Sequence, residues 1–385
     1  SSQVRLCNCW EKGTAMLAEV CVGAAGAAVG SMAIVRYLLL RRIAHIATGP
    51  QRRQLYPPDD SSRTGGCPAE DFADLRIRRE LRTLGSGAKV FCQIISPRER
   101  TASHVLVFLH GYTSQGDLYL EASCQLARSG AVVVLPDLPC HGRSDGLLAH
   151  MPDWWAWVEQ VWEIIELFVP LAQADEGASG PLKVFAAGIS LGGGLAACLG
   201  VQRPTYFDGL VLIAPMLFIS DELKPPKIVQ MVFKHVLAPL LPTWPITPIK
   251  NMEEVDFRVP EQGGRYCLTN PMSMRGLSAR LGTAKQLGFI FPDWMEGQLA
   301  NVKTPFIVVH GKADKITDPV LSQRLYDEAM ASDKSLKLYD EAFHCELFCC
   351  LPGTGKLIGV EWLPAQVAVT KQCMSDIAEW LAARA

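Results

Sequence analysis

Short, uninterrupted apolar runs recur along most of this chain and are separated by longer stretches in which apolar residues return every three or four positions. Val105 to Leu109, Val132 to Leu135, Gly209 to Ala214 and Phe306 to Val309 are runs of the first kind. They suit strands buried on both faces of a parallel sheet. Strands are predicted over 74–83, 88–96, 104–109, 131–136, 183–187, 209–214, 305–310 and 335–340, and helices over 117–128, 153–171 and 191–201. Alternation of this kind predicts an α/β fold with a mostly parallel central sheet and helices on both faces. The first two strands are joined by Gly85-Ser86-Gly87, a short turn that predicts an antiparallel edge.

Three regions break the pattern. Residues 1–45 include an apolar, small-residue stretch over 14–40, uncharged from Val20 to Val35 between Glu19 and Arg36. That run is shorter than the roughly 20 residues a spanning helix needs. Gly26 and Gly30 allow close helix packing, and Arg36, Arg41 and Arg42 follow. The segment is a candidate membrane anchor, and the basic excess on its C-terminal side predicts the large C-terminal part in the cytosol. Without an anchor the chain is expected to be cytoplasmic. Residues 46–70, with Pro57-Pro58 and Gly65-Gly66, read as a linker. Residues 219–301 carry several prolines and an apolar helical stretch from Ile228 to Leu241, and read as a helical cap inserted in a core of 71–218 and 302–385. A cap there would cover the C-terminal edge of the sheet, where open α/β sheets bind ligands.

Composition narrows the function. Apolar residues make up 49% and charged residues 20%, with a net charge of −2. A large core can form, and no basic stripe points to nucleic acid. The 13 cysteines have no metal-ligand spacing and no regular framework. They read as free thiols of a reducing compartment.

The strongest local signal is Gly188-Ile189-Ser190-Leu191-Gly192, between the strand ending at Ala187 and the helix from Leu191. A Gly-x-Ser-x-Gly turn between strand and helix exposes a nucleophilic serine, and the glycines keep side chains out of the crossing. A serine hydroxyl needs a general base. In hydrolases built on this turn the chain order is serine, acid, histidine. Of eight histidines, only His344 follows the candidate acids, in the loop after a strand. Asp314 and Asp318 share the loop after the preceding strand. Asp318-Pro319 reads as a helix cap, which leaves Asp314 to orient the imidazole. Asp340 and Glu341 read as loop charges. The strand Val105 to Leu109 runs into His110-Gly111-Tyr112, so the backbone N–H groups of Tyr112 and Leu191 are the expected oxyanion donors, with His110 bracing the loop. No metal or cofactor is required.

With these motifs identified, FLHGYTS (108–114), LPDLPCHGRSDG (135–146), GISLGGG (188–194), PTWPITP (242–248) and VVHGKADKITDP (308–319) together resemble the monoacylglycerol lipase and lysophospholipase family of α/β-hydrolases, especially its plant and algal branch. LSQRLYDEA (321–329) and SDKSLKLYDEAFH (332–344) extend the resemblance, which spans roughly 75–350. It implies the same three catalytic residues, the same oxyanion donors and an ester substrate, a monoacylglycerol or similar lipid. Ile189 departs from the histidine many members carry. Caffeoylshikimate-type and lysophospholipid esterases are the alternative enzymes. A tethered scaffold without activity is the alternative from another class. The cap stretch reads either as a lipid-facing surface or as ordinary packing on the core.

Overall fold

The computed structural model describes residues 40, 44–59, 69–99, 101–174, 181–218, 226–245, 256–269, 272–274 and 279–385. The sheet has eight strands: β1 Leu75–Thr83, β2 Lys89–Pro97, β3 His104–Leu109, β4 Ala131–Pro136, β5 Lys183–Ile189, β6 Gly209–Ile213, β7 Phe306–Gly311 and β8 Lys334–Tyr339. Their spatial order is β1-β2-β4-β3-β5-β6-β7-β8. Only β2 runs against the others: it is antiparallel to β1 and to β4, and every other pairing is parallel. The β1–β2 hairpin closes through the expected turn, with Gly87 at φ 83°.

Alternation along β3 shows how the sheet builds two cores. Val105, Val107 and Leu109 face one apolar layer, while Leu106 and Phe108 face the other. Helices Trp154–Ala174 and Leu191–Gln202 cover the first layer. Helices Leu120–Arg128 and Pro364–Ala382 cover the second. Each fully buried leucine or phenylalanine contributes about 2 kcal/mol of transfer free energy, so these layers carry most of the stability.

Trp154 and Trp162 are buried in the first layer; Trp154 stacks on Phe291 at 4.3 Å, and Trp162 stacks on Phe207 at 5.7 Å. They pack the core and offer no binding platform. Within 219–301, the described helical residues run over 227–240, Pro260–Thr269, 281–296 and Leu299–Asn301. The stretch over 281–296 is tied to the core through Thr283 Oγ1, which accepts the Met151 N–H at 2.8 Å, and Gln286 Oε1, which accepts the Trp154 N–H at 3.1 Å. The stretch over 227–240 does not pack as an ordinary core helix. Ile228, Met231, Val236 and Leu240 remain exposed.

The linker expectation for 46–70 needs correction. Gly49–Leu55 is a helix, with Pro50 in its first turn and Gln51 accepting the Thr48 N–H at 2.9 Å. It is docked rather than free, because Arg52 is completely buried. Its prolines and polar residues look like linker composition, but its buried groups meet partners distant in sequence. The apolar stretch over 14–40 lies outside the described residues apart from Leu40. Among the described residues no helix is long and apolar enough to cross a membrane. Among the described residues, Cys92, Cys124, Cys140, Cys198, Cys345, Cys349, Cys350 and Cys373 form no disulfide.

Candidate active site

Ser190 sits between β5 and the helix Leu191–Gln202 with φ 56° and ψ −119°, a conformation an L-residue adopts only under constraint. The constraint is steric and hydrogen-bonded. A Cβ on Gly188 would stand 2.1 Å from the Gly192 carbonyl oxygen, and one on Gly192 would stand 1.9 Å from that of Leu109. The Ser190 N–H donates to Ile213 O at 2.9 Å, and its carbonyl accepts from Gly194 and Met216. The turn lifts a half-buried serine above the end of the sheet.

Asp314 and His344 come from the loops after β7 and β8 and meet directly. His344 Nδ1 lies 2.6 Å from Asp314 Oδ2. The other carboxylate oxygen, Oδ1, accepts the N–H groups of Ile316 at 2.8 Å and Thr317 at 3.0 Å. Burial alone would raise the Asp314 pKa, but the charges and hydrogen bonds of His344 and His310 outweigh it and hold the carboxyl ionised far below the usual range. For His344, burial pulls the pKa down. The Asp314 charge and hydrogen bond push it up and win, so the net shift is upward. Asp318 has the expected separate role, accepting the Val320 N–H at 2.9 Å as N-cap of Pro319–Glu328. Asp340 pairs with Lys312 at the surface, and Glu341 is exposed.

Two side chains that sequence reasoning passed over complete the support. His310 Nε2 lies 3.1 Å from Asp314 Oδ2, and its Nδ1 lies 2.7 Å from Ser322 Oγ. An ionised carboxylate can only accept, so His310 carries a proton on Nε2. Thr317 Oγ1 is 2.9 Å from Asp314 Oδ2, 3.1 Å from His344 Nδ1 and 3.1 Å from the Ala214 carbonyl. Ala214 follows Ile213, whose carbonyl holds Ser190. The end of β6 therefore ties the serine turn to the acid–imidazole pair. His310 stands four residues before Asp314 in the same motif, which was the available signal. Nothing marked Thr317.

The segment expected to supply an oxyanion donor lies beside the serine. A Cβ on Gly111 would lie 3.5 Å from Ser190 Cβ, so the His110-Gly111-Tyr112 segment runs alongside the serine. Neither the Tyr112 nor the Leu191 backbone N–H donates to any group among the described residues. His110 Nε2 accepts the Leu138 N–H at 2.9 Å while Nδ1 donates to the Gly111 carbonyl at 2.8 Å. Burial holds its pKa down to about 3, so it is a neutral brace and not a second base. The structure brings Asp314 to His344 and sets Ser190 beside the His110-Gly111-Tyr112 segment; it shows no hydrogen bond between Ser190 Oγ and His344 among the described residues.

The strand order, a single reversed strand at one side and a serine turned out after β5 define the α/β-hydrolase fold. The chain belongs to the family described as serine aminopeptidase, S33, whose sequence pattern matches residues 100–348. It is 29% identical over 258 residues to the caffeoylshikimate esterase of Arabidopsis thaliana, covering 66% of this chain and 75% of that one. It is 27% identical over 265 residues to the monoglyceride lipase of Homo sapiens, covering 67% and 80%. Among solved structures, a soluble variant of monoglyceride lipase from Saccharomyces cerevisiae superposes with a TM-score of 0.63 at 18% identity, covering 80% of this chain and 95% of that one. That likeness is one of fold.

Proposed function

We propose that the chain is a serine ester hydrolase that cleaves a monoacylglycerol or related single-chain lipid ester through Ser190, His344 and Asp314. The observation that carries the reading is the buried 2.6 Å contact between His344 Nδ1 and Asp314 Oδ2, tied through Thr317 and the end of β6 to the turn that holds Ser190 at positive φ. Asp314 fixes the tautomer that leaves His344 Nε2 free to take a proton. Ser190 Oγ attacks the ester carbonyl as His344 accepts its proton, the oxyanion rests on the Tyr112 and Leu191 N–H groups, and His344 protonates the departing alcohol. Water then repeats the sequence on the acyl-enzyme. Hydrogen bonds of this kind commonly tighten only when substrate is bound. An intact set of serine, base and acid argues against a scaffold, which needs none of them.

The lipid preference is supported by the exposed apolar side chains of 227–240. With Lys227, Lys234 and His235 alongside, that surface suits contact with a bilayer or an acyl chain. The apolar segment over 14–40 is proposed as a further membrane attachment that leaves the hydrolase on the cytosolic side. A phenolic ester is the second reading, supported by the similarity to the Arabidopsis esterase. The family description names a peptidase, and the common element is serine attack at a carbonyl.

The test is turnover on a panel of monoacylglycerols, lysophospholipids and aryl esters, with Ser190→Ala beside the unaltered protein. Monoacylglycerol hydrolysis lost in Ser190→Ala, along with labelling by a fluorophosphonate, is expected. Turnover surviving in that variant ends the proposal, and preference for an aryl ester moves it to the second reading.

A further inference from the structure

The docked N-terminal helix has a consequence at the candidate active site. Arg52 is fully buried and its guanidinium serves five carbonyl oxygens. Nη1 donates to Ile46 and Ala47 of its own segment, both at 3.1 Å. Nε donates to Gly142, and Nη2 donates to Ser144 at 2.6 Å and Gly146 at 3.2 Å. The loop it clasps, 140–149, holds a conformation that is costly to maintain: Cys140 and Ala149 are at φ 68° and 54°, and Gly142 and Gly146 are also at positive φ. A planar fork with five donors can span that many carbonyls, whereas a lysine ammonium cannot.

The far side of this loop touches the oxyanion segment twice. The Tyr112 hydroxyl donates to the Ala149 carbonyl at 3.0 Å. The His141 ring packs edge-on between His110 and Tyr112, with centroids 5.3 Å and 5.8 Å away. The N-terminal segment also reaches the same place through Ile46, which shares with Leu148 and Ala149 an apolar cluster that Tyr112 packs against, and through Ala47, whose carbonyl accepts the Leu148 N–H at 2.8 Å.

We propose that Arg52 is a positioning residue for the reaction: by clasping loop 140–149 it sets, through Ala149, where the Tyr112 backbone N–H stands relative to Ser190. Residues 46–52, which precede the family-matched region, are then a working part of the hydrolase. This rests on the reading of Tyr112 as an oxyanion donor. Such a donor acts on the transition state and not on ground-state binding, so its displacement lowers kcat and leaves KM alone.

The experiment measures kcat and KM of the full chain on a soluble short-chain ester for Arg52→Lys, Tyr112→Phe and the double variant. Tyr112→Phe keeps the backbone N–H and removes the hydroxyl that bonds Ala149. Each single change is expected to lower kcat about tenfold at unchanged KM, short of the roughly hundredfold or greater loss on deleting an oxyanion donor outright. Because both act through one loop, the double variant is expected to be no worse than the poorer single one. Losses that multiply in the double variant, a rise in KM in place of the kcat loss, or wild-type kcat in either single variant would overturn the proposal. Should Arg52→Lys fail to fold, Tyr112→Phe decides alone by the same two readouts. Ser190→Ala in the same assay separates the two claims. Turnover surviving there sinks the esterase reading. Turnover lost there, with Arg52→Lys at wild-type kcat, sinks only the relay.

Discussion

The amide of Cys345 donates to the carbonyl of Asp256 at 3.2 Å, which sets a second buried carboxyl group beside His344. Arg258 strengthens the attachment by pairing with the fully buried Glu346 at 2.9 Å. Among the described residues Asp256 Oδ1 has no hydrogen-bond partner, and burial pushes its pKa up to about 7. Its charge adds to that of Asp314 in raising His344.

This arrangement sets a pH dependence. The base works only when neutral, and its pKa is raised, so kcat/KM should fall as pH drops through a midpoint above the ordinary histidine value of about 6.5. Asp256→Asn removes one of the charges favouring the imidazolium, so the midpoint should move to lower pH while kcat on the plateau is largely kept. A kcat/KM profile on a soluble ester reads this. A midpoint that stays or climbs would contradict the Asp256 contribution.

The two imidazoles on Asp314 should differ in weight. Asp314→Asn removes the acceptor that sets the His344 tautomer and is expected to cost kcat as much as ~10⁴-fold. His310→Gln should cost less than the roughly hundredfold that a general base supplies, since His310 only steadies the carboxylate. Equal losses from both changes would show that His310 does more than support. Single-turnover acylation rates distinguish the two.

Gly192 should tolerate no side chain. Its Cβ would lie inside the Leu109 carbonyl, in backbone that cannot move without shifting β3. Overpacking of this sort costs about 1–3 kcal/mol or more. Gly192→Ala is expected to lower the melting temperature and to abolish fluorophosphonate labelling. Full labelling of a stable Gly192→Ala protein would mean that the crossing is looser than the structure indicates.

The exposed cap surface should separate lipid contact from chemistry. Burying two aliphatic side chains in a bilayer contributes about 3 kcal/mol, enough for more than tenfold in partitioning. Ile228→Glu with Leu240→Glu is therefore expected to weaken binding to lipid vesicles more than tenfold while leaving hydrolysis of a soluble short ester intact. Unchanged vesicle flotation would remove this surface from the lipid reading.

The sheet was legible because each buried strand is a nearly pure apolar run, and burial on both faces demands that composition whatever the neighbours are. The serine turn was legible because the steric requirement for Gly188 and Gly192 is local. Asp314 could be separated from Asp318 because Pro319 marks a helix start. What the one-dimensional pattern could not carry was pairing between distant groups. His310 and Thr317 act only because the ends of β6, β7 and β8 bring them to one carboxylate. The docking of Gly49–Leu55 was hidden because its composition is that of a linker. Only the fold decided that Arg52 would find five carbonyl oxygens, since a buried guanidinium is stable only where its partners already converge, and three of those partners, Gly142, Ser144 and Gly146, lie 90, 92 and 94 residues away along the chain.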